Sequence, residues 1–314
     1  MFRIGVDLGG TNIAVGIVDN DNSIVKKGSV PTNAGRHPDE IVKDIAGLIT
    51  KLLEETDIIP CRIEHIGIAS PGAIDPVNGI VTRATNLGMI DYPIVSKLRE
   101  FLPIRRIKLE NDANAAALGE AVAGSGKGVD KFIMVTLGTG VGGGIIIDGK
   151  IYSGFNYAGG ELGHMVIEHN GRQCGCGRRG CWETYSSATG LINMTKEYML
   201  HNRNSAMWKL VENDIDRVSG KTAYQAAAMG DMTARTVCAE YTDYLACGLV
   251  NIINIFQPNI LSIGGGVSNE GENLMAPLRE LVDTLQFTSA NPVKTELKIA
   301  ELKNDAGIIG AASL

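Results

Sequence analysis

Short apolar runs, rich in β-branched residues, alternate along the chain with longer helix-forming segments. Runs of this kind predict buried strands, and apolar residues repeated at helical spacing predict helices. The strand candidates are Ile4–Leu8, Ala14–Val18, Ile24–Val30, Ile63–Ala69, Ile104–Leu109, Phe132–Leu137, Gly143–Ile147 and Ile260–Ile263. The helix candidates are Pro38–Thr56, Pro93–Phe101, Ala113–Ala123, Thr184–His201, Lys221–Met229, Asp231–Phe256 and Glu272–Leu285. This alternation indicates an α/β fold.

One pattern occurs twice. Asp7-Leu-Gly-Gly-Thr11 joins two apolar runs near the start of the chain, and Leu137-Gly-Thr-Gly-Val-Gly142 joins two more near its middle. Both patterns predict a strand, a glycine turn and an antiparallel strand. We therefore expect two similar domains, each of which presents a glycine turn to a shared cleft.

Composition and charge exclude some classes of partner. The chain has 314 residues, 44% of them apolar, and a formal net charge of −6. This charge gives no case for binding nucleic acid or a membrane surface, since both favour basic patches. No apolar run approaches the length of a membrane span. The first segment, Phe2–Leu8, is strand-like and does not resemble a secretory signal. We expect a cytoplasmic protein without disulfides, in which Cys61, Cys238 and Cys247 are buried core residues.

A cluster of metal-ligand residue types is the most specific local signal. His164 is followed by Cys174, Cys176 and Cys181 in a glycine-rich stretch. A Cys₃His set is typical of a closed, structural zinc site, and a free-thiol or redox cluster is the alternative. Glu161 lies one helical turn before the histidine and Glu183 just past the last cysteine, so a metal here would fix both carboxylates.

The glycine turns are candidates for phosphate binding. Glycines let backbone amides approach phosphate oxygens closely. The first turn taken alone is equally compatible with an ordinary hairpin, because neither the Walker spacing nor the dinucleotide fingerprint is present. The second turn is richer in glycine and favours a phosphate cradle over a bulged turn. A third run, Gly264-Gly-Gly266, follows a predicted strand and could serve either a nucleotide or simple packing.

Three polar residues, Glu110-Asn111-Asp112, stand where a predicted strand meets a predicted helix. A helix N-cap would explain one of them. It would not explain three in a row. Because ligand sites of α/β proteins lie at the carboxyl ends of strands, we expect a carboxylate from this junction to project into the cleft.

These motifs, in this order, resemble the ROK family of sugar kinases, and within it the bacterial glucokinases, over essentially the whole chain. The resemblance implies an actin-like ATPase (ribonuclease H-like) duplication with two domains around a cleft and a zinc-binding loop. It implies ATP with Mg²⁺, a structural Zn²⁺, a hexose substrate, and a homodimer or dimer of dimers. We predict a small domain of residues 1–110 plus 302–314 and a larger one of residues 111–301. The motifs that carry the resemblance are Asp7-Leu-Gly-Gly-Thr-Asn12, Ser70-Pro-Gly72, Glu110-Asn-Asp-Ala-Asn114, Leu137-Gly-Thr-Gly-Val-Gly142, Gly160-Glu-Leu-Gly-His164, Cys174-Gly-Cys-Gly-Arg-Arg-Gly-Cys181, Glu183 and Ile263-Gly-Gly-Gly266.

The resemblance also implies roles for single residues. Asp112 is similar to the family's catalytic base. His164 would hold zinc through one nitrogen and face the sugar with the other, together with Cys174, Cys176 and Cys181 as metal ligands. The sugar-binding positions would be Gly72, Asn86, Asn111, Asp112, Glu161, His164 and Glu183. The nucleotide side would comprise Asp7, Gly9, Gly10, Thr11, Asn12, Gly138, Thr139, Gly140, Gly265 and Gly266. Family glucokinases often carry Trp in the loop where this chain has Met89, which makes narrow specificity harder to predict.

The sequence therefore predicts ATP-dependent phosphorylation of a hexose at its 6-hydroxyl, with glucose as the first expectation. Kinases for fructose, N-acetylmannosamine, allose or mannose are the nearest alternatives. A sugar-sensing regulator of the same family would carry an additional helix-turn-helix region, for which the chain shows no basic recognition helix. A filament-forming or chaperone-like actin-fold ATPase fits the fold but not the cysteine loop.

Overall fold

The computed structural model describes all 314 residues in two compact units. The first unit comprises Met1–Ile133, Gly144–Gly160 and Ala300–Leu314, and the second comprises Met134–Gly143 and Glu161–Ile299. The predicted domains, 1–110 plus 302–314 and 111–301, stay a prediction; the compact units group residues 111–133 with the N-terminal segment.

The chain forms thirteen strands and ten α-helices. The strands are β1 Phe2–Leu8, β2 Asn12–Val18, β3 Ile24–Pro31, β4 Ile63–Ser70, β5 Ala73–Asp75, β6 Ile80–Ala84, β7 Met89–Tyr92, β8 Ile107–Asn111, β9 Lys131–Leu137, β10 Val141–Ile147, β11 Lys150–Ile151, β12 Ile260–Gly264 and β13 Glu296–Ile299. The helices are α1 Pro38–Glu55, α2 Ile94–Arg99, α3 Asp112–Ala123, α4 Glu183–Ser186, α5 Ala188–His201, α6 Met207–Leu210, α7 Thr222–Ala228, α8 Met232–Phe256, α9 Glu272–Leu285 and α10 Ala306–Ala312. None of the helices combines the length and the apolar character needed to cross a bilayer.

Two five-stranded sheets repeat the same strand order. The first runs β3-β2-β1-β4-β8 and the second β11-β10-β9-β12-β13. In the first sheet, β1 pairs antiparallel with β2 and parallel with β4, and β4 pairs parallel with β8. In the second sheet, β12 and β13 are parallel. Each sheet thus contains a hairpin, β1–β2 or β9–β10, whose turn is one of the two glycine motifs, as the internal repeat predicted.

Helices cover the first sheet closely enough to require small residues. Helix α1 buries Ile41, Ile45 and Ile49 completely. Helix α10 crosses α3, where a Cβ on Gly310 would lie 1.6 Å from the Ala115 carbonyl oxygen. Such an approach is possible only without a side chain. The crossing fixes α3, and with it Asp112 at the first position of that helix.

Three predictions from the sequence need correction. The helix predicted over Thr184–His201 is two helices, because Ser187 takes an extended conformation and its side chain caps α5 by accepting a hydrogen bond from the Gly190 N–H group. The strand predicted over Ile104–Leu109 is displaced to Ile107–Asn111. Cys61 is exposed and not a core residue, while Cys238 and Cys247 are only partly buried. The short strands β5, β6 and β7, which form a separate sheet, escaped prediction.

Candidate active site

Strand β8 passes directly into helix α3, which places two polar side chains at the helix start. Asn111 is the N-cap: its Oδ1 accepts hydrogen bonds from the N–H groups of Ala113 at 3.0 Å and Asn114 at 3.3 Å. Asn111 therefore caps the helix, and the Asp112 side chain is not needed for this role. An oxygen of Asp112 accepts a hydrogen bond from the Ala113 N–H group at 2.9 Å. Burial raises the pKa of Asp112, and this hydrogen bond offsets part of the rise.

The third polar residue of the junction, Glu110, supports the other two. Its Oε1 accepts hydrogen bonds from the backbone N–H of Asn111 at 2.9 Å and from the Asn114 side chain at 3.0 Å. Glu110 is buried, and burial raises its pKa. In consecutive positions, Glu110 thus bonds to the residues around it, Asn111 caps the helix, and Asp112 presents a half-buried carboxylate.

Gly72 lies beside the same junction. The Asn111 Nδ2 donates a hydrogen bond to the Gly72 carbonyl oxygen at 3.2 Å. Gly72 has a φ of +86°, and a Cβ there would lie 2.1 Å from the Arg83 carbonyl oxygen. Both the left-handed backbone and the close contact exclude a side chain. The structure therefore brings together the predicted residues Gly72, Asn111 and Asp112.

The first glycine turn is tied to the neighbouring strand. The Gly9 N–H group bonds to the Asn12 carbonyl oxygen at 2.9 Å, and the Thr32 hydroxyl donates to the Gly9 carbonyl oxygen at 2.7 Å. The side chain of Asn86 lies over Gly10, since a Cβ on Gly10 would be 3.0 Å from Asn86 Nδ2. Asn86, predicted for the sugar, therefore contacts a residue predicted for the nucleotide.

Asp7 precedes this turn and carries an unusual carboxylate. Burial, and then the charge of Asp112, raise its pKa from 3.8 to about 6. Beside the turn lies a cleft of about 630 Å³, lined by Asp7, the turn residues Gly9–Asn12 and the ion pair of Lys27 with Asp305. Sequence reasoning missed Lys27 and Asp305. No local motif marks them, because they are 278 positions apart in the chain.

In the second unit, the four predicted metal ligands converge. The ligand atoms of His164, Cys174, Cys176 and Cys181 all lie within 4.8 Å of one another. The Sγ atoms of Cys176 and Cys181 are 3.6 Å apart, and His164 Nδ1 is 3.7 Å from the Cys174 Sγ. With Zn–S bonds of about 2.3 Å, tetrahedral zinc separates two sulfurs by about 3.8 Å. The donor set and its spacing therefore fit a tetrahedral Zn²⁺.

Backbone hydrogen bonds fold the cysteine loop around this cluster. The Cys174 N–H group bonds to the Arg178 carbonyl oxygen, and the Gly180 N–H group bonds to that of Arg172 at 2.7 Å. Gly180 has a φ of +81°, and a Cβ there would lie 1.7 Å from the Glu168 carbonyl oxygen. The glycines of the loop thus allow it to close around one ion.

Glu183 connects the metal cluster to the second glycine turn. Its Oε1 accepts a hydrogen bond from the Cys174 thiol at 2.9 Å and lies 3.4 Å from His164 Nδ1. Its Oε2 lies where a side chain on Gly140 would begin, 2.6 Å from the position of a Cβ. Space is open around Gly138, where a Cβ would meet no atom within 4 Å.

The remaining predicted residues lie as follows. Glu161 is exposed and precedes the short 3₁₀ turn that presents His164. Thr139, Gly265 and Gly266 are exposed. Gly265 has a φ of +87°, and a Cβ there would lie 2.4 Å from the Leu137 carbonyl oxygen. Met89 is fully buried in the core. The next residue of strand β7, Ile90, is 74% exposed.

Known proteins match the chain over its length. The model of the ROK family matches residues 3–314. Glucokinases of Thermotoga maritima and Halalkalibacterium halodurans are 38% and 36% identical; the alignments cover 99% and 100% of this chain and 96% and 94% of those proteins.

A solved structure agrees. The crystal structure of a ROK family glucokinase from Streptomyces griseus in complex with glucose and AMPPNP is 34% identical, with a TM-score of 0.80, and the match covers 100% of this chain and 98% of that one. These matches confirm the predicted fold class. The chain belongs to the ROK family.

Proposed function

We propose that the protein transfers the γ-phosphoryl group of ATP to the 6-hydroxyl of a hexose, with glucose as the preferred acceptor. The observation that carries the proposal is the β8–α3 junction, where Asp112 is a half-buried carboxylate with a raised pKa, beside Asn111 and Gly72. The glucokinase relatives and the Streptomyces griseus complex with glucose and AMPPNP, an ATP analogue, support the choice of substrates.

Asp112 is the proposed general base. Its carboxylate accepts the proton of the sugar 6-hydroxyl as O6 forms a bond to the γ-phosphorus, while the bond from that phosphorus to the β–γ bridging oxygen breaks and ADP leaves. A raised pKa brings the carboxylate closer to the operating pH, which suits proton transfer. Most of the catalysis comes from positioning and charge stabilisation, because phosphoryl transfer leaves little covalent work for the protein.

The glycine turns and Asp7 are proposed to bind the nucleotide. The open space at Gly138 and the exposed side chains of Thr11 and Thr139 give phosphate oxygens access to the two turns and to their hydroxyl groups. No hydrogen bond offsets the burial of the Asp7 carboxylate, which fits a hard cation or its hydration shell. Mg²⁺ would neutralise charge on the phosphates, and Asp7 is the residue that would hold it.

The cysteine loop is proposed to bind a structural Zn²⁺ and to shape the sugar side of the site. Since His164 Nδ1 faces the cysteine sulfurs, its Nε2 is available for a sugar hydroxyl. Glu161 and Glu183 supply further groups that can pair with vicinal hydroxyls. A site built from such groups rejects a sugar that lacks the bonded hydroxyl more strongly than one with added bulk.

A panel of hexoses tests this function. We expect ATP with Mg²⁺ to give a higher kcat/KM for glucose than for fructose, mannose, allose or N-acetylmannosamine. A higher kcat/KM for another hexose would make the protein a kinase for that sugar within the same family. If the folded protein bound hexose but never formed ADP, the alternative of a sugar-sensing regulator without catalysis would be favoured. The cytoplasmic location and the homodimer or dimer of dimers stay predictions.

A further inference from the structure

The Glu183 carboxylate lies between two parts of the second unit that sequence reasoning treated as separate. One oxygen, Oε1, lies 2.9 Å from the Sγ of the metal ligand Cys174 and 3.4 Å from the Nδ1 of the metal ligand His164. The other lies 2.6 Å from the position that a Cβ of Gly140 would occupy. A distance below about 3.0 Å is one that real Cβ atoms essentially never show. Glycine at position 140 is therefore the residue type that lets this carboxylate touch the turn.

The segment that carries Glu183 holds the same turn at a second point. The Ala188 N–H group donates to the Gly138 carbonyl oxygen at 2.9 Å. Ser187, which caps α5, separates that contact from helix α4. The turn Gly138–Gly140 thus contacts both ends of one short segment.

The start of that segment is fixed by the metal loop and the core. Cys181 is a predicted metal ligand and is fully buried. Trp182, also fully buried, donates from its backbone N–H to the Met165 carbonyl oxygen at 2.8 Å and from its indole N–H to that of Tyr244 at 3.0 Å. A Cβ on Gly248 would lie 2.0 Å from the Trp182 ring, so the indole packs directly on helix α8. The backbone beside Glu183 is therefore held by the core, and the metal acts on the Glu183 side chain by fixing Cys174 and His164, the two ligands that lie against its carboxylate.

We propose that Glu183 is a positioning residue that couples the metal loop to the second glycine turn, so that metal binding orders Gly138–Gly140 and tightens nucleotide binding. The proposal rests on the proposed function, in which this turn binds nucleotide phosphates. Because such coupling is reciprocal, the nucleotide also tightens metal binding. The role is additional to any contact that Glu183 makes with the sugar.

Hydrogen exchange of residues 137–143 tests the coupling without nucleotide or sugar. We expect zinc-loaded wild type to exchange slowly there and chelated protein at least about fivefold faster, in the range typical of allosteric coupling. Zinc-loaded Glu183→Ala should exchange like the chelated wild type while retaining bound zinc. Glu183→Gln, which keeps the shape of the side chain, should lie between them. Equal exchange in loaded wild type and loaded Glu183→Ala would overturn the proposal.

A double-mutant cycle isolates the contact itself. Gly140→Ala should speed the exchange of the turn in wild type and have a smaller effect in the Glu183→Ala background, where its added methyl has space. Equal effects in both backgrounds would contradict the contact. Gly220→Ala, in the same unit with no atom within 4 Å of the added methyl, is the matched control.

Calorimetry with AMPPNP, without sugar, tests whether the coupling changes the affinity for the nucleotide. We expect chelation to raise the Kd for AMPPNP at least about fivefold in wild type and much less in Glu183→Ala. A Kd independent of zinc in wild type would overturn the link to nucleotide binding. If zinc-loaded wild type bound no AMPPNP, the proposed function would fail, while hydrogen exchange would still decide the coupling.

Discussion

Asn111 joins the start of helix α3 to the turn at Gly72: its Nδ2 donates a hydrogen bond to the Gly72 carbonyl oxygen at 3.2 Å while its Oδ1 caps the helix. The position of Asp112 therefore depends on a turn that lies far away in sequence. Gly72 is the residue most constrained by this arrangement, because it combines a positive φ with close contact to the Arg83 backbone.

Replacing Gly72 by Ala should destabilise the protein and misplace Asp112. The strained φ and the contact with the backbone lead us to expect a loss of about 2–4 kcal/mol in the free energy of unfolding. Urea denaturation measures this loss. Gly128→Ala is the matched control, since Gly128 has a φ of +91° but open space around it, and should lose only about 1 kcal/mol. Equal losses for the two variants would show that the contact with Arg83 contributes nothing.

Replacing Asp112 by Asn should remove the base and keep the shape of the side chain. We expect kcat to fall by about 10²- to 10⁴-fold, the usual contribution of general-base catalysis. Calorimetry should show much less change in sugar affinity. Asp148→Asn, a change in an exposed turn, is the control and should retain wild-type kcat. A parallel loss of sugar binding and turnover would count against the assignment of the base.

The raised pKa of Asp7 predicts a stability change that depends on pH. Because the folded-state pKa of about 6 lies above the ordinary 3.8, the protonated carboxyl favours the folded state, and this contribution is lost as the pH rises through about 6. In nucleotide-free protein, Asp7→Asn should therefore raise the free energy of unfolding at pH 7.5 by about 2–3 kcal/mol, since one unit of pKa corresponds to about 1.4 kcal/mol.

The gain in the free energy of unfolding from Asp7→Asn should nearly vanish below about pH 4, where Asp7 is protonated in both the folded and the unfolded state. Denaturation of both proteins at several pH values measures it, and Asp148→Asn is again the control. A gain of the same size at every pH would exclude burial of the charge as its cause. Asp7→Asn should also reduce activity with ATP, because the proposed Mg²⁺ ligand is lost.

Loss of zinc should disturb several sugar-binding residues at once. Cys176→Ser, or removal of zinc from the wild type, should disorder Glu161, His164 and Glu183 together and raise the Kd for glucose by at least about tenfold, as expected for groups that orient a site. Calorimetry with glucose and zinc analysis of the same samples measure both effects. Glucose affinity that survives complete loss of zinc would disprove this dependence.

Local patterns account for the part of the site that the sequence predicted. His164 and the three cysteines lie close together in the chain, and their residue types alone indicate a metal. The two glycine hairpins and the Glu110–Asp112 junction likewise show their chemistry over a few residues. Repetition of the hairpin also predicted two similar domains, and the two sheets share one strand order.

Contacts between distant segments account for the rest. The ion pair of Lys27 with Asp305, and the approach of Glu183 to Gly140, depend on how separate segments pack. The break at Ser187 was missed because an apolar repeat continues across it, although a serine cap decides the local conformation. Strands β5–β7 have only three to five residues each, too few for a periodic signal.

The most direct test of the proposed function identifies the product. Zinc-loaded wild type, ATP, Mg²⁺ and glucose are combined, and the product is analysed by ³¹P and ¹³C NMR. We expect ADP and glucose 6-phosphate in equal amounts, with the phosphate on O6. A folded, zinc-loaded protein that forms no sugar phosphate from glucose or any other hexose of the panel would contradict the account.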